Sequence, residues 1–260
     1  MNNKTMTYDL SGNVATLTLN RPQARNAISR RLLDEFETLL AAVDAAFEAR
    51  TVIITGAGDK AFCAGADLKE RAGMSPAEVG DFLTTINRLF TAIENFRLPV
   101  IAAMNGAAFG GGLEMAMAAD IRLAAESAVM GLTETRLAII PGAGGTQRMP
   151  RLVGMAKAKE LILAGRRIDA RQALEIGLVN VICPSDELMQ RSRQLALEIN
   201  AGGPVAVQQA KAAINKGMAT DLQSGLAIES EAYARCIPTE DRLEGLKAFA
   251  EKRKPVYKGR

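Results

Sequence analysis

Two hydrophobic periods alternate along the first half of this 260-residue chain. Residues 14–19 switch between apolar and small or hydroxylated side chains at every step, the signature of a strand. Residues 30–49 carry Leu32, Leu33, Phe36, Leu39, Leu40, Val43 and Phe47 at helical spacing, which predicts an amphipathic helix. Val52-Ile53-Ile54, inside residues 51–55, predicts a buried strand that stops at Gly56. A glycine-rich loop follows through Gly65. Ser75-Pro76-Ala77-Glu78 places a capping hydroxyl, a first-turn proline and a Glu three residues beyond the cap, so a helix should start there and run to about Phe96. Residues 99–104 predict another buried strand, 113–119 a short helix and 121–124 a strand. Strand then helix thus recurs three times, which points to an α/β architecture with helix-covered sheets. No fixed sequence repeat accompanies it. Beyond residue 186 the pattern turns helical, over 186–199, 204–216, 222–236 and 241–252. Ala201-Gly202-Gly203-Pro204 is the best boundary. It separates a core over residues 1–200 from a helical region over 201–260 with the look of a lid or an oligomerisation element.

Composition narrows the chemistry. Apolar residues make up 48% and charged ones 23%, enough for a sizeable soluble core. A net charge of +3 is too small to imply nucleic acid or acidic lipid as a partner. Seven basic and two acidic residues between Arg242 and Arg260 read as a solvated face and chain end. The first residues lack an apolar run, so no signal peptide is expected, and no apolar window reaches the length of a membrane span. Cys63, Cys183 and Cys236 are dispersed without C-x-x-C spacing. That suits a reducing cytoplasm and argues against a disulfide framework or a metal site. The chain has no histidine. Ser-His-Asp and Cys-His catalysis and a histidine-ligated catalytic zinc are thereby excluded. Proton transfer near neutral pH falls to carboxylates, whose affinity for protons rises with burial or a neighbouring charge.

Two glutamates stand beside glycine-rich turns. Glu114 ends Phe109-Gly110-Gly111-Gly112-Leu113-Glu114, and Glu134 precedes Ile140-Pro141-Gly142-Ala143-Gly144-Gly145-Thr146. Three glycines where a strand gives way to a helix strip one surface of side chains, so backbone N–H groups there can meet a ligand at a helix N-terminus. One such N–H is half of an oxyanion hole. Phe62-Cys63-Ala64-Gly65-Ala66-Asp67-Leu68, which also follows a strand and opens a helix, could supply the other half. Blander alternatives stand beside these readings: a tight packing turn with Glu114 exposed, Asp67 as a simple helix cap, and Glu134 paired with Arg136 on the surface. Cys63, with no histidine to activate it, reads as a small buried packing residue.

The stretches Ala61–Leu68, Asn105–Glu114 and Ile140–Arg148 together resemble the crotonase (enoyl-CoA hydratase/isomerase) superfamily. The match runs from Leu19-Asn20-Arg21-Pro22 to Asp241-Arg242-Leu243-Glu244-Gly245 and Lys252-Arg253-Lys254, nearly the whole chain. The resemblance implies a crotonase-like spiral of ββα units followed by a C-terminal helical trimerisation region, in a homotrimer or a homohexamer. It implies an acyl-CoA thioester as substrate, with no metal and no cofactor beyond the substrate's own coenzyme A. Ala66 and Gly111 match the oxyanion-hole amides, Glu114 and Glu134 the two water-activating carboxylates, and Gly142 the glycine lining the water site. Ala24, Arg25, Ala64, Asp67, Leu68 and Lys69 match the coenzyme A-binding stretch. Possession of both glutamates favours hydration over isomerisation, with Glu114 as base and Glu134 as acid, since a helix N-terminus beside Glu114 favours its ionised form. The segments Glu134-Thr135-Arg136-Leu137-Ala138-Ile139-Ile140-Pro141, Ala227-Ile228-Glu229 and Ile237–Gly245 also resemble methylglutaconyl-CoA hydratases. The resemblance raises RNA binding through a lysine-rich early helix as well. Here that helix holds five acids, three arginines and no lysine, so phosphate neutralisation would be poor. A non-catalytic acyl-CoA binder is the remaining alternative, and the intact glutamate pair argues against it.

Overall fold

The computed structural model describes residues 4–260. The chain opens with an antiparallel pair, β1 (Met6–Ser11) and β2 (Val14–Leu19), and then α1 (Arg30–Ala45). Three turns of a spiral follow. The first holds β3 (Thr51–Gly56), β4 (Ala61–Cys63), α2 (Leu68–Arg71) and α3 (Pro76–Glu94). The second holds β5 (Val100–Met104), β6 (Ala107–Phe109) and α4 (Gly111–Ala118). The third holds β7 (Ile121–Ala125), β8 (Val129–Gly131), a 3-10 turn over Glu134–Leu137, α5 (Gly145–Val153) and α6 (Met155–Leu163). The first strand of each turn joins a six-stranded sheet ordered β1-β2-β3-β5-β7-β10, and the second a four-stranded sheet ordered β4-β6-β8-β9. This is the predicted spiral of ββα units. β9 (Ile168–Asp169), α7 (Ala170–Glu175) and β10 (Val181–Cys183) close the two sheets.

Both faces of the larger sheet are covered, which explains its unbroken apolar strands. In β3, Val52 and Ile54 enter the main core with Phe36 of α1 and Phe90 of α3. Ile53, on the opposite face, packs with Ile101 and Leu123 beneath Leu188 and Ala196 of α8 (Leu188–Asn200). The helix starts obey the predicted chemistry. Ser75 and Glu78 form a reciprocal capping box with Pro76 in the first turn of α3. Ser29 accepts the Leu32 amide at the head of α1. Several predicted bounds shift by a residue or more. α1 ends at Ala45, where Ala46 turns extended, so Phe47 escapes the apolar stripe and is exposed. α3 ends at Glu94 rather than Phe96.

The predicted C-terminal helices are present as α9 (Pro204–Gly217), α10 (Leu222–Cys236) and α11 (Glu240–Ala250). α9 is fastened to the core by Lys211, whose ammonium donates to Asp120 at 2.7 Å and to the Leu98 carbonyl at 3.0 Å. α9 and α10 cross closely where Gly217 meets Gly225, glycines that let the backbones approach. Met218, Leu222, Tyr233, Leu246 and Phe249 remain exposed on these helices. Among the described residues, no helix is long and apolar enough to cross a membrane.

Candidate active site

The two glycine-rich turns and the 3-10 turn converge on one cleft of about 660 Å³. Its wall includes Ala64, Gly65, Ala66, Leu68, Gly110, Gly111, Glu114, Glu134, Gly142 and Ala143. Each glycine of the triplet before Glu114 has its own reason. Gly110 holds a φ of 51° with ψ at −127°, a conformation closed to other residues, and a Cβ on it would lie 3.0 Å from Glu134 Oε1. A Cβ on Gly112 would overlap the Cys63 carbonyl. Gly111 opens α4, so its N–H has no acceptor within the helix.

Ala66 is pinned by a parallel bridge to Ile28. The Ile28 N–H donates to the Gly65 carbonyl at 2.8 Å, and the Asp67 N–H donates to the Ile28 carbonyl at 2.8 Å. The Ala66 N–H is left out of that bridge and, like that of Gly111, has no hydrogen-bond partner among the described residues. The two amides are neighbours: a Cβ built on Gly111 would lie 3.9 Å from the Ala66 nitrogen. Two unused donors therefore sit together at the cleft wall, one of them at a helix N-terminus.

The carboxyl groups of Glu114 and Glu134 have opposite surroundings. Glu114 is buried on α4, and its Oε1 accepts the Ala143 N–H at 2.8 Å and the Gly145 N–H at 2.7 Å. Burial raises its proton affinity above the ordinary value; these two amides and the Arg148 charge pull the other way. Glu134 starts the 3-10 turn, and its Oε2 is buried with no hydrogen-bond partner among the described residues. Burial, with a further contribution from the Glu114 charge, pushes the Glu134 pKa up to about 7. The expected surface pairing of Glu134 with Arg136 does not form; Arg136 donates to the Ala164 carbonyl instead. Exposure of Glu114 is likewise ruled out, since only 2% of it is accessible.

Other predicted site residues take varied places. Asp67 caps α2 through the Lys69 and Glu70 amides and pairs with Arg21 at 2.9 Å, so its carboxylate is engaged outside the cleft wall. Lys69 and Arg25 are exposed, and Ala24 is half-buried in the 3-10 turn Pro22–Ala24. The Ala64 N–H donates to the Arg25 carbonyl at 3.0 Å, which sets that turn against the mouth of the cleft. Cys63 is fully buried with its thiol pushed up to about 12 by burial, as a packing role requires.

The apolar wall was missed, although Val79, Phe82, Leu83 and Ile86 stand at i, i+3, i+4 and i+7 on α3. Ile139 and Ile140 line the same cleft. Arg71 was missed too. It is the only basic residue in the wall, and its side chain has no carboxylate partner among the described residues.

Comparison with known proteins agrees with this geometry. Residues 9–260 match the family Enoyl-CoA hydratase/isomerase. The Bacillus subtilis protein YngF is 54% identical over 246 residues, covering 95% of each chain. Human mitochondrial methylglutaconyl-CoA hydratase is 49% identical over 250 residues, covering 95% of this chain and 74% of the human one. A crystal structure of enoyl-CoA hydratase from Bacillus anthracis superposes with a TM-score of 0.97 at 50% identity, over 98% of this chain and all of the other. A near-complete match in sequence and in spiral architecture means that the chain belongs to the enoyl-CoA hydratase/isomerase (crotonase) family.

Proposed function

We propose that this protein is an enoyl-CoA hydratase that adds water across the 2,3 double bond of a 2-enoyl-CoA thioester. The observation that carries this reading is one cleft holding two carboxyl groups of unequal proton affinity beside two unused backbone amides. The Ala66 and Gly111 N–H groups would donate to the thioester oxygen as an oxyanion hole. Each donor contributes about 3 kcal/mol as charge grows on that oxygen. The polarised enoyl system is electrophilic at C3. Water attacks C3, and its proton passes to ionised Glu114. Glu134, protonated, delivers its proton to C2 as the enolate collapses. Exchange of one proton from Glu114 to Glu134, directly or through solvent, restores the starting state. Atoms and charges balance with these groups alone, so the cycle calls for no metal or redox cofactor. Gly142 would line the water site, while Ala64 and Leu68 would meet the coenzyme A moiety, with Ala24 and Arg25 near it.

A panel of crotonyl-CoA, longer straight-chain enoyl-CoAs and 3-methylglutaconyl-CoA, compared by kcat/KM, tests this reading. Hydration of crotonyl-CoA supports it. No turnover of any of these thioesters by folded protein refutes it. A specific observation favours the second reading, hydration of a branched acidic enoyl-CoA: Arg71, without a carboxylate partner among the described residues, lines the same cleft as the apolar side chains of Val79, Phe82, Leu83, Ile86, Ile139 and Ile140. A methyl branch suits that apolar wall and a terminal carboxylate suits the cation.

RNA binding gains nothing from the structure. The acids Glu35, Glu37 and Asp44 of α1 are paired with Arg31, Arg88 and Arg97, leaving no basic stripe there. We further propose a homotrimer or homohexamer, supported by the exposed apolar side chains of α9 to α11, which monomers rarely leave in contact with water. Sedimentation equilibrium would contradict it by returning the monomer mass at micromolar concentration.

A further inference from the structure

We propose that Arg148 is a positioning residue for the reaction: it clamps the turn over residues 142–145 from outside, so that the Ala143 and Gly145 amides stay on Glu114. The proposal rests on the hydratase reading for its kinetic consequences and on geometry for the clamp itself.

The geometry has two sides. On the inner side of the turn, the amides of residues 143 and 145 point at one carboxylate oxygen. On the outer side, the carbonyls of residues 142 and 143 are both held. Asn87 of α3 donates to the Gly142 carbonyl at 2.6 Å. Arg148, in the second turn of α5, folds back on its own helix start, and its Nη1 donates to the Ala143 carbonyl at 3.0 Å. Its Nη2 donates to Glu94, the last residue of α3, at 2.7 Å. Gly144 makes room for this: a Cβ there would overlap Arg148 Nη1, and φ at that residue is 99°.

Two successive peptide units are therefore held: the Gly142–Ala143 unit by Asn87 at its carbonyl and Glu114 at its amide, and the Ala143–Gly144 unit by the Arg148 guanidinium at its carbonyl. Each unit is rigid, so Asn87 fixes the direction of the Ala143 amide, while Arg148 fixes the next unit, through which the chain reaches the Gly145 amide. The Arg148 side chain is 12% exposed, and its Nε is buried without a partner among the described residues. An exposed ion pair between α3 and α5 would stabilise the fold just as well without that burial. What the buried arrangement adds is a fixed turn and a positive charge behind the base. The charged groups acting on the pair are Arg148 from α5 on Glu114, and Arg71 from α2 and Glu114 itself on Glu134; Glu94 offsets part of the Arg148 charge.

The test compares wild type, Arg148→Met, Arg148→Lys and Glu94→Gln. Amide hydrogen exchange of a peptide spanning residues 140–147 should speed up by roughly tenfold or more in Arg148→Met, with the β5 peptide unchanged. The kcat for crotonyl-CoA should fall about ten- to a hundredfold, as a misplaced catalytic group does, with KM within about threefold. The acid limb of the kcat–pH profile should move to higher pH, because Glu114 loses a cation that favours its ionised form. Arg148→Lys, which keeps the charge but cannot bridge two acceptors in the same way, should restore the acid limb and leave the turn fast-exchanging. Glu94 is partly exposed, so Glu94→Gln preserves the fold if Arg148→Met does not, and should loosen the same peptide. Wild-type exchange in both variants overturns the clamp. Faster exchange with unchanged kcat and pH profile also overturns the proposal, leaving a structural staple only. If wild type hydrates no enoyl-CoA, the hydratase reading fails, and the exchange arm still decides the clamp.

Discussion

Glu114 Oε1 accepts the Gly145 amide at 2.7 Å, across 31 positions of sequence. That amide is the first of α5, so the carboxylate sits at the positive end of a second helix as well as in the opening turn of its own. Glu134 enjoys no comparable pair of donors, and its Oε2 is buried alone. The proposed assignment of base to Glu114 and acid to Glu134 rests on this asymmetry rather than on either residue by itself.

The Glu134 side of that asymmetry has two measurable consequences. As an acid with a pKa near 7, Glu134 must be protonated to act, so kcat/KM for hydration should fall as pH rises past about 7. Glu134→Gln should lose about 10²–10⁴-fold in kcat while acyl-CoA affinity stays within a few-fold. Near-normal turnover by this variant would remove Glu134 from the mechanism. Stability gives an independent readout. The folded pKa is raised above the ordinary 4.5, so the native state binds a proton more tightly than the unfolded chain does. Wild-type stability therefore declines as pH climbs from about 4.5 through about 7. Glu134→Gln removes that decline, and its Tm should exceed that of wild type by roughly 2–4 °C at pH 8. The difference should vanish near pH 4.5.

The oxyanion-hole amides can be tested without touching a side chain. Gly111 is the first residue of α4, where proline is tolerated because the missing N–H has no helical partner. Gly111→Pro deletes the donor and should reduce kcat about 10²–10³-fold. Gly111→Ala keeps the donor; its methyl would lie 3.1 Å from Ile28 Cδ1, a flexible neighbour, so activity should stay within about tenfold of wild type. Equal losses in the two variants would mean that packing at Ile28, not the N–H, is what matters. Circular dichroism and thermal melts should show that both variants remain folded.

Much of this site was legible in the sequence because it is built from backbone. Gly110, Gly111 and Gly112 announce a surface without side chains, and the residues after them in the chain are those that use it. The capping box at Ser75 and Glu78 and the long apolar runs of β3 and β5 were equally local. What escaped was non-local or ambiguous. The strand β1 was hidden because its side chains are mostly exposed, so no apolar alternation marks it. Phe47 mimicked one more helical turn although the backbone had already left the helix. The amides on Glu114 come from a turn 29 and 31 positions away, a distance no motif spacing encodes. Asp67 carried the signal of a ligand contact and that of a helix cap at once, and its carboxylate is taken by the cap and by Arg21. Arg71 lies in the charged run Lys69-Glu70-Arg71 on a four-residue helix, indistinguishable by sequence from a solvated face.

Arg71 decides between the two substrate readings. As the only basic residue lining the cleft among the described residues, it would pair with a substrate carboxylate within the cleft, and truncating one partner of such a charge pair is costly. Arg71→Met should reduce kcat/KM for 3-methylglutaconyl-CoA by roughly 10²-fold while crotonyl-CoA stays within about threefold. One small effect on crotonyl-CoA is expected. Arg71 holds the Glu134 pKa down, so its loss should move the alkaline limb of the pH profile upward, since the acid stays protonated to higher pH. If both substrates lose equally, Arg71 serves the shared chemistry through Glu134 rather than the distal carboxylate. Crotonyl-CoA would then stand as the reference substrate, with the apolar wall on α3 left as the sole determinant of acyl preference.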